Sequence, residues 1–461
     1  MKPNNTPGIT TEKAILTDSA QLTAWEVYAK ELLTEYNQSL EEGLDIAAYE
    51  KLFADVAAMP HTVYKDRMAD VLFDIVLNAP IREDYGYDEP SDWETLRSLM
   101  RPVPLPDLPS EEILRDKIHG AWQGRIAGCM LGKTVEGIRS GELSDLLKTS
   151  GNYPMYRYIR STDVTEETKK KYKYPLAERC FADLVDGMPM DDDTNYVALA
   201  QLVIERYGRD FTPWDMSRAW LNTQPKDSYC TAERVAFLNF TEGIEPPYSA
   251  EYQNPYREWI GAQIRGDYFG YINPGDPELA AEMAWRDACI SHIKNGIYGE
   301  MFAAAMIAVA GVTKDLKDIV LGGLAQIPYT SRLYEDVMSV VTDWENGVSQ
   351  EDAFKHIHEK WDEHIQHDWC HTNSNAMIVA AALLYGKGDF GKSICMAVET
   401  GFDTDCNGAT VGSILGMAFG EGIIDEVWSK DIHNKLYTSI FGVGDVLISD
   451  CVEKTMKHIA M

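Results

Sequence analysis

Two stretches of the chain carry glycine at every fourth position: GAWQGRIAGCMLG (residues 120–132) and GATVGSILGMAFG (residues 408–420). An interior glycine costs a helix about 1 kcal/mol relative to alanine, so a compensating gain is needed. Tight helix-on-helix packing is one explanation, and close approach of the backbone to a ligand is the other. The charges of Arg125 and Lys133 and the short apolar lengths argue against a bilayer segment.

The remainder of the chain also favours helices. Two segments rich in small residues, GEMFAAAMIAVAG (299–311) and AMIVAAALLYG (376–386), predict two more of them. Alternating strand patterns are scarce, so the predicted fold class is all-α.

Composition divides the chain into three parts. Residues 1–80 form a predicted N-terminal helical module, with one apolar stripe at Leu22, Trp25, Ala29, Leu32 and Tyr36 and another at Met68, Leu72 and Ile75. Residues 81–110 are rich in proline and predict a linker or wrapping arm. Ser110, a predicted N-cap residue, opens a main helical domain over 111–461.

The charge balance restricts the partners. Among 461 residues, 42 Lys and Arg against 73 Asp and Glu leave 42 − 73 = −31. Such a surface repels phosphate backbones and anionic membranes, so we expect neither as a partner. No apolar run is long enough to span a bilayer and the N-terminus lacks a signal-peptide pattern, so we expect a cytoplasmic protein with reduced thiols.

Two acidic elements point to chemistry. Asp191, Asp192 and Asp193 precede an apolar helix, where they either complement the helix dipole or hold a cation. Asp403 and Asp405 lie in an otherwise apolar, glycine-rich segment, where a carboxylate pair is costly unless it is paired or bound to metal. Aspartates from two helices can hold one or two Mg²⁺ ions, which prefer oxygen ligands.

Three other patterns are weaker. Residues 386–393 fit the G-x-x-x-x-G-K-S phosphate-loop pattern but lack a preceding strand, so we interpret them as a helix–helix turn. Five histidines between 356 and 371 suggest zinc, yet a stripe of Phe354, Ile357, Trp361 and Ile365 puts His364 and His367 on a solvated face. Residues 253–275 combine aromatics, arginines and glycines, either as a ligand pocket or as a structural loop.

Five motifs in order over residues 111 to about 420 resemble the ADP-ribosylglycohydrolase family. A glycine helix followed by Glu136 comes first, then Asp191-Asp192-Asp193-Thr194 in place of T-D-D-T. The stretch from Gly261 to Arg265 resembles G-x-x-M-R, and the stretch from Ala288 to His292 resembles A-x-x-T-H. The segment GFDTDCNGATVGSILG (401–416) matches G-x-D-x-D-x before a glycine helix.

The resemblance implies an orthogonal all-α bundle with a binuclear Mg²⁺ or Mn²⁺ centre that hydrolyses a bond at ribose C1. By position, the implied metal ligands are Asp191, Asp192, Asp193, Asp403 and Asp405. Glu136 and Asp192 are the predicted catalytic residues, with Glu136 gating the site or assisting proton transfer. The predicted substrate contacts are Gly261, Arg265, His292, His371 and Asn375. The glycine faces would let the two metal-bearing helices sit close together.

Two departures from the family pattern bear on the substrate. Asp191 replaces the first family threonine and Cys406 replaces the threonine after D-x-D. The added carboxylate should hold hard cations more tightly, whereas a thiol is a poor Mg²⁺ ligand. The substrate is therefore either an ADP-ribosyl conjugate or a free nucleoside or other small glycoside. A non-catalytic binder of ADP-ribose or a sugar nucleotide, a structural member of the family and, more remotely, a P-loop nucleotide hydrolase are the alternatives.

Overall fold

The computed structural model describes residues 22–172, 176 and 179–461. Within these ranges the chain forms 23 α-helices and one antiparallel pair of two-residue strands. The all-α prediction is confirmed. Residues 1–21 of the predicted N-terminal module lie outside the described residues.

The chain divides into two compact units. The smaller unit comprises the described residues up to Tyr85 together with Gln253–Tyr256, and its helices are α1 (Leu32–Glu41), α2 (Glu50–Ala57) and α3 (Val63–Asn78). The larger unit comprises Gly86–Tyr252 and Arg257–Met461. Its helices are α4 (Trp93–Leu99), α5 (Glu111–Lys133), α6 (Ser140–Thr149), α7 (Glu166–Lys171), α8 (Asp192–Tyr207), α9 (Pro213–Thr223), α10 (Thr231–Thr241), α11 (Tyr248–Glu251), α12 (Asp267–Tyr271), α13 (Pro277–Ala288), α14 (Lys294–Ala310), α15 (Leu316–Leu324), α16 (Arg332–Glu345), α17 (Gln350–Lys360), α18 (Gln366–Cys370), α19 (Thr372–Gly386), α20 (Phe390–Glu399), α21 (Thr404–Phe419), α22 (Glu426–Ser429) and α23 (Ile448–Ile459). The strands are β1 (Lys435–Leu436) and β2 (Val446–Leu447).

The smaller unit has its own apolar core, to which the predicted stripe contributes. Ala29, Leu32 and Tyr36 are buried in it, as is Leu72 of α3. Leu22, at the start of the described chain, is 41% exposed. The predicted stripe therefore holds from Ala29 onward but not at Leu22.

The proline-rich segment contains more structure than the predicted linker. It includes α4, which Asp92 caps by accepting a hydrogen bond from the backbone N–H of Thr95 (2.9 Å). Trp285 of α13 donates through its Nε1 to the carbonyl of Ser91 (2.9 Å), and Arg332 of α16 pairs with Glu89 (2.9 Å). These contacts anchor the segment on the larger unit. The boundaries 1–80, 81–110 and 111–461 stay a prediction.

The two glycine helices, α5 and α21, pack with their backbones in contact. A Cβ built on Gly124 would lie 2.2 Å from the carbonyl oxygen of Gly412, and one built on Gly132 would lie 2.2 Å from that of Thr404. As the residue number increases along α5, the number of the contacted residue decreases along α21, so the two helices run antiparallel. The explanation by helix packing is confirmed, because the glycines of α5 face the backbone of α21.

This pairing corrects the idea that the glycine faces join the two metal-bearing helices. The aspartates at 191–193 lie at the start of α8, which has no part in the glycine contact. What the contact does is bring the end of α5 beside the start of α21, since Gly132 meets Thr404 there.

The phosphate-loop match is a helix–helix turn, as predicted. Lys387 and Gly388 have positive φ angles of 55° and 84°, which end α19. Asp389 then caps α20 by accepting from the backbone N–H of Lys392 (2.9 Å). The two strands of the described chain are antiparallel and come later, so no strand leads into this turn. The P-loop alternative is wrong.

The histidine-rich segment differs from its predicted pattern. Helix α17 ends at Lys360 and α18 begins at Gln366, so one helical period does not run through the segment. Ile365 is 48% exposed, whereas His367 is buried and accepts a hydrogen bond from Trp259 Nε1 (3.1 Å). The predictions of a buried Ile365 and a solvated His367 are therefore wrong.

The aromatic segment 257–275 lies in the interior. Tyr268 and Tyr271 of α12 are fully buried and pack against Trp122 of α5, with ring centroids 6.2 Å and 5.7 Å away. This packing favours the structural interpretation of the segment over the pocket. Among the helices of the described residues, none is both long and apolar enough to cross a membrane.

Candidate metal centre

The start of α8 carries three consecutive aspartates. Asp191 is the N-cap residue, and its Oδ1 accepts a hydrogen bond from the backbone N–H of Asp193 (2.9 Å). Asp191 and Asp193 are buried and Asp192 is half-buried. The positive end of the helix dipole favours negative groups here, which explains how the triplet is accommodated locally.

The start of α21 carries the second acidic element. Asp403 occupies the N-cap position and Asp405 lies in the first turn, and both are buried. Asn375 of α19 supports this turn, because its Oδ1 accepts from the backbone N–H of Asp403 (3.3 Å) and from Asn407 Nδ2 (2.7 Å). Asn375 thus holds the start of α21 in place.

The tertiary structure brings the two acidic elements together. One ligand atom from each of Asp193, Asp405 and Cys406 lies within 4.8 Å of the others. The same is true of Cys129, Asp191 and Asp193. Asp193 belongs to both groups and therefore links the start of α8 to the start of α21.

Burial and mutual repulsion raise the pKa values of these carboxyl groups. Burial, followed by the charges of Asp191 and Asp405, raises the pKa of Asp192 to about 7. Burial, then Asp405 and Glu136, raises the pKa of Asp403 well above its usual range. Carboxylates that repel each other in a buried site are stabilised by protons or by a cation.

Glu136 lies in the turn beyond the end of α5, with an exposed side chain. The charge of Asp405 raises the pKa of Glu136 well above its usual range, with further contributions from desolvation and from Asp191. Arg179 donates to the backbone carbonyl of Glu136 (2.7 Å). The residue thus lies at the rim of the acidic centre, within its electric field.

Two basic residues of α5 reach into the acidic centre, and the sequence did not single them out as site residues. Arg125 donates to Asp193 Oδ1 (3.1 Å) and to Asp267 Oδ2 (2.8 Å), and it is fully buried. Lys133 forms an ion pair with Asp191 Oδ2. Arg125, Cys129 and Lys133 share a spacing of four, next to the glycine stripe. That second stripe on the same helix was the available signal.

Arg265 and Gly261, both predicted substrate contacts, lie in a buried ion network. The guanidinium has five N–H groups, and it has five acceptors here: Asp287 Oδ2 (2.8 Å), Glu233 Oε1 (2.7 Å), Ser291 Oγ (3.1 Å) and the carbonyls of Gly261 (3.4 Å) and Asp287 (3.2 Å). No N–H group of Arg265 is left for a substrate. This arrangement favours a structural role, and substrate binding by either residue stays a prediction.

The other three predicted substrate contacts are buried. His292 Nδ1 lies 2.8 Å from Ser291 Oγ, beside the Arg265 network. His371 caps α19, where its Nδ1 accepts from the backbone N–H of Asn373 (3.1 Å), and its ring stacks on Trp361 with centroids 4.8 Å apart. Of the five, Asn375 is the residue with direct hydrogen bonds to the start of α21. Substrate binding by these three residues stays a prediction.

Comparison with known protein families identifies the main helical unit. The sequence profile of the ADP-ribosylglycohydrolases matches residues 110–457. The chain belongs to the ADP-ribosylglycohydrolase family. Among solved structures, an "ADP-ribosylglycohydrolase-related protein complex" is similar at 18% identity with a TM-score of 0.46, covering 76% of this chain and 99% of that one. Comparison with curated proteins gives no match.

ADP-ribosylglycohydrolases typically depend on divalent metal, and the donor set here fits such an ion. Asp193 Oδ2 is fully buried and has no hydrogen-bond partner, although Oδ1 of the same carboxylate is paired with Arg125. An unpaired buried carboxylate oxygen is costly unless a cation compensates it. Together, Asp193 Oδ2 and the carboxylate of Asp405 offer the hard oxygen ligands that Mg²⁺ and Mn²⁺ prefer.

The residues that replace the family's two threonines have different surroundings in this chain. Asp191, in place of the first, is paired with Lys133 and Cys129. Cys406, in place of the other, is buried beside Asp193 and Asp405, and burial raises the pKa of its thiol well above the usual range. The added carboxylate was expected to tighten cation binding, but its charge is offset within the chain by Lys133.

Proposed function

We propose that the protein is a divalent-metal-dependent glycohydrolase that cleaves an N- or O-glycosidic bond at the anomeric carbon of a ribosyl substrate. The substrate class comprises ADP-ribosyl conjugates and smaller ribosides. The observation that supports this most strongly is the convergence of Asp193 and Asp405 from two helices, with Asp193 Oδ2 buried and unpaired. Membership of the family supports the reaction class.

Asp192, Asp193, Asp403 and Asp405 would hold the cation. When bound, a divalent ion lowers the pKa of water, orients ribose hydroxyls and stabilises developing negative charge. Desolvation and the charges of the neighbouring carboxylates make a further anion unfavourable at this centre, so a neutral, hydroxyl-rich ribose suits it better than a free phosphate does.

Glu136 is the candidate proton carrier. Its side chain is exposed at the rim, and the field of Asp405 favours its protonated form. A carboxyl group with a raised pKa can donate its proton to a departing nitrogen or oxygen as the anomeric carbon develops oxocarbenium character. The raised pKa of the half-buried Asp192 makes it the second candidate for proton transfer, in which case Asp193, Asp403 and Asp405 hold the cation.

A second candidate function is the binding of ADP-ribose or a sugar nucleotide without hydrolysis. The Lys133–Asp191 ion pair and the thiol of Cys406 favour it, because both depart from the family's hydroxyl donors. A binder, however, has no need of several convergent carboxylates, so hydrolysis remains the better-supported function.

The test compares the metal-loaded wild type with Asp403→Asn, Asp405→Asn and Glu136→Gln. The assay supplies Mg²⁺ or Mn²⁺ with ADP-ribosylated peptide, ADP-ribosyl-arginine, nucleosides and aryl ribosides. We expect hydrolysis of at least one class by the wild type and losses of about 100-fold or more in each variant. Asp215→Asn, at the exposed cap of α9, is the control and should stay active. Binding of ADP-ribose without turnover of any substrate would favour the second candidate.

A further inference from the structure

A lysine ammonium lies inside the acidic centre. Lys133 is the last residue of α5, and its Nζ contacts Asp191 Oδ2. The lysine side chain is 21% exposed and the aspartate side chain is 2% exposed. The ion pair is therefore largely shielded from water, which would otherwise screen and weaken it.

Asp191 has a donor on each of its oxygens. Oδ1 accepts from the backbone N–H of Asp193 (2.9 Å) and from the thiol of Cys129 (3.3 Å), while Oδ2 faces Lys133. A cation that used Asp191 Oδ2 as a ligand would have to displace the ammonium, and one that used Oδ1 would have to displace the thiol of Cys129 and bind beside the ammonium. Asp193 Oδ2 is the contrasting case, since it is buried and accepts no hydrogen bond.

The two candidate ligand groups are thus not equivalent. In the group of Cys129, Asp191 and Asp193, the chain itself supplies the thiol and the ammonium to Asp191. Asp193, with its unpaired Oδ2, belongs to both groups, but in the group of Asp193, Asp405 and Cys406 the carboxylate of Asp405 forms no ion pair among the described residues. The negative charge of Asp191 is therefore compensated by Lys133, whereas the charge on the Asp193–Asp405 side still needs a cation.

We propose that the Lys133 ammonium takes the place of one divalent ion, so that this centre binds a single ion on the Asp193–Asp405 side. The inference rests on the proposed function in that it assumes a metal at the centre, and it departs from the two ions that the family resemblance implies. The fixed charge of Lys133 also offsets the charge that Asp191 adds where the family has threonine.

Counting bound ions tests the proposal without reference to activity. Full-length protein is stripped with chelator, titrated with Mn²⁺, and its bound metal is measured by calorimetry and elemental analysis. We expect one ion per chain in the wild type and in Lys133→Arg, which keeps the positive charge. We expect two in Lys133→Met, because the substitution frees Asp191 Oδ2 and removes the competing charge. Lys355→Met, on the exposed face of α17, is the control and should bind one.

The wild type alone provides a second readout, which matters if Lys133→Met folds poorly. Electron paramagnetic resonance of the Mn²⁺-loaded wild type should show the hyperfine pattern of an isolated ion. Two ions per wild-type chain, a spin-coupled Mn²⁺ pair, or one ion in a folded Lys133→Met variant would each overturn the proposal while leaving metal-dependent hydrolysis intact. No bound ion in any of the proteins would instead overturn both the proposal and the metal dependence of the proposed function.

Discussion

Gly128 of α5 faces the backbone carbonyl of Gly408 in α21 so closely that a Cβ on Gly128 would lie 1.9 Å from the carbonyl oxygen. The neighbouring contacts of the same pair, Gly124 with Gly412 and Gly132 with Thr404, are of the same kind. Backbone contact along this length fixes the register of the two helices. The register in turn places Lys133 at the end of α5 beside the acidic start of α21.

Adding a single methyl group at this contact should destabilise the protein. We expect Gly128→Ala to lower the free energy of unfolding by about 3 kcal/mol, because neither backbone can move without separating the helices. Urea unfolding followed by circular dichroism measures the change.

Gly141→Ala is the matched control, since Gly141 also lies in a helix but has nothing within 4 Å of its added Cβ. That variant should be more stable by about 0.5–1 kcal/mol, as alanine favours helix over glycine. An unchanged stability of Gly128→Ala would contradict the packing described for α5 and α21.

The buried arginine of α5 should contribute strongly to stability. Arg125→Met removes the partner of Asp193 and Asp267 and leaves two buried carboxylates without it. Breaking a buried ion pair on one side costs about 3–5 kcal/mol, and we expect a loss of that size in urea unfolding.

Arg97→Met serves as the control, because Arg97 and Glu278 form an exposed pair with side chains 58% and 54% exposed. Its effect should stay below about 1 kcal/mol. Adding Asp267→Asn to Arg125→Met should recover part of the loss, since one uncompensated charge is then removed. If the double variant is no more stable than Arg125→Met, the charge argument is wrong.

Asn375 should affect the metal centre by holding the start of α21. Asn375→Ala leaves the backbone N–H of Asp403 and the Nδ2 of Asn407 without their shared acceptor. We expect a loss of about 1–3 kcal/mol in unfolding and a 10–100-fold weaker affinity for Mn²⁺, the usual effect of removing a group that orients ligands. Calorimetric titration measures the affinity.

Asn222→Ala is the comparison for Asn375→Ala. Asn222 donates to the carbonyl of Arg218 on an exposed part of α9, so both quantities should stay close to wild type. Equal metal affinities in Asn375→Ala and Asn222→Ala would mean that Asn375 does not position the ligands.

His292 should make stability depend on pH. Burial, followed by the charge of Arg265, lowers the pKa of His292 well below its ordinary value. Below about pH 6.5 the unfolded chain binds a proton at this residue that the folded chain excludes, so stability is complete above that pH and falls as the pH decreases. The slope is about 1.4 kcal/mol per pH unit.

Unfolding titrations from about pH 7 to about pH 5 compare the wild type with His292→Gln, which cannot titrate. The variant should lack this part of the slope, whatever its absolute stability. Asn222→Ala, on an exposed part of α9, should keep the wild-type slope. Parallel pH curves for wild type and His292→Gln would show that folding does not lower the pKa of His292.

Local chemistry explains which features could be predicted. Ser110 caps α5, as its side chain accepts from the backbone N–H of Ile113 (3.4 Å), and the predicted small-residue helices are α14 and α19. The predicted interpretation of 386–393 as a turn also held. Each of these depends on residues close together in the chain, whose preferences are readable from a short window.

The predictions that were wrong or incomplete depend on contacts between distant segments. His367 is buried because Trp259, which is 108 positions away in the chain, donates to it. Arg265 is enclosed by acceptors from α10 and α13. The residue pattern within a single segment cannot predict these contacts, because their partners are distant in the chain.

The sequence by itself determined the helices, the two glycine faces and the two acidic helix starts, because caps and four-residue spacings act within one or two turns. Only the tertiary structure decided that α5 pairs with α21, that Asp193 and Asp405 meet, and that Lys133 faces Asp191. Those outcomes depend on packing between segments that are distant in the chain. The charge of Lys133 on α5, for example, can offset a carboxylate only because the packing places Asp191 beside it.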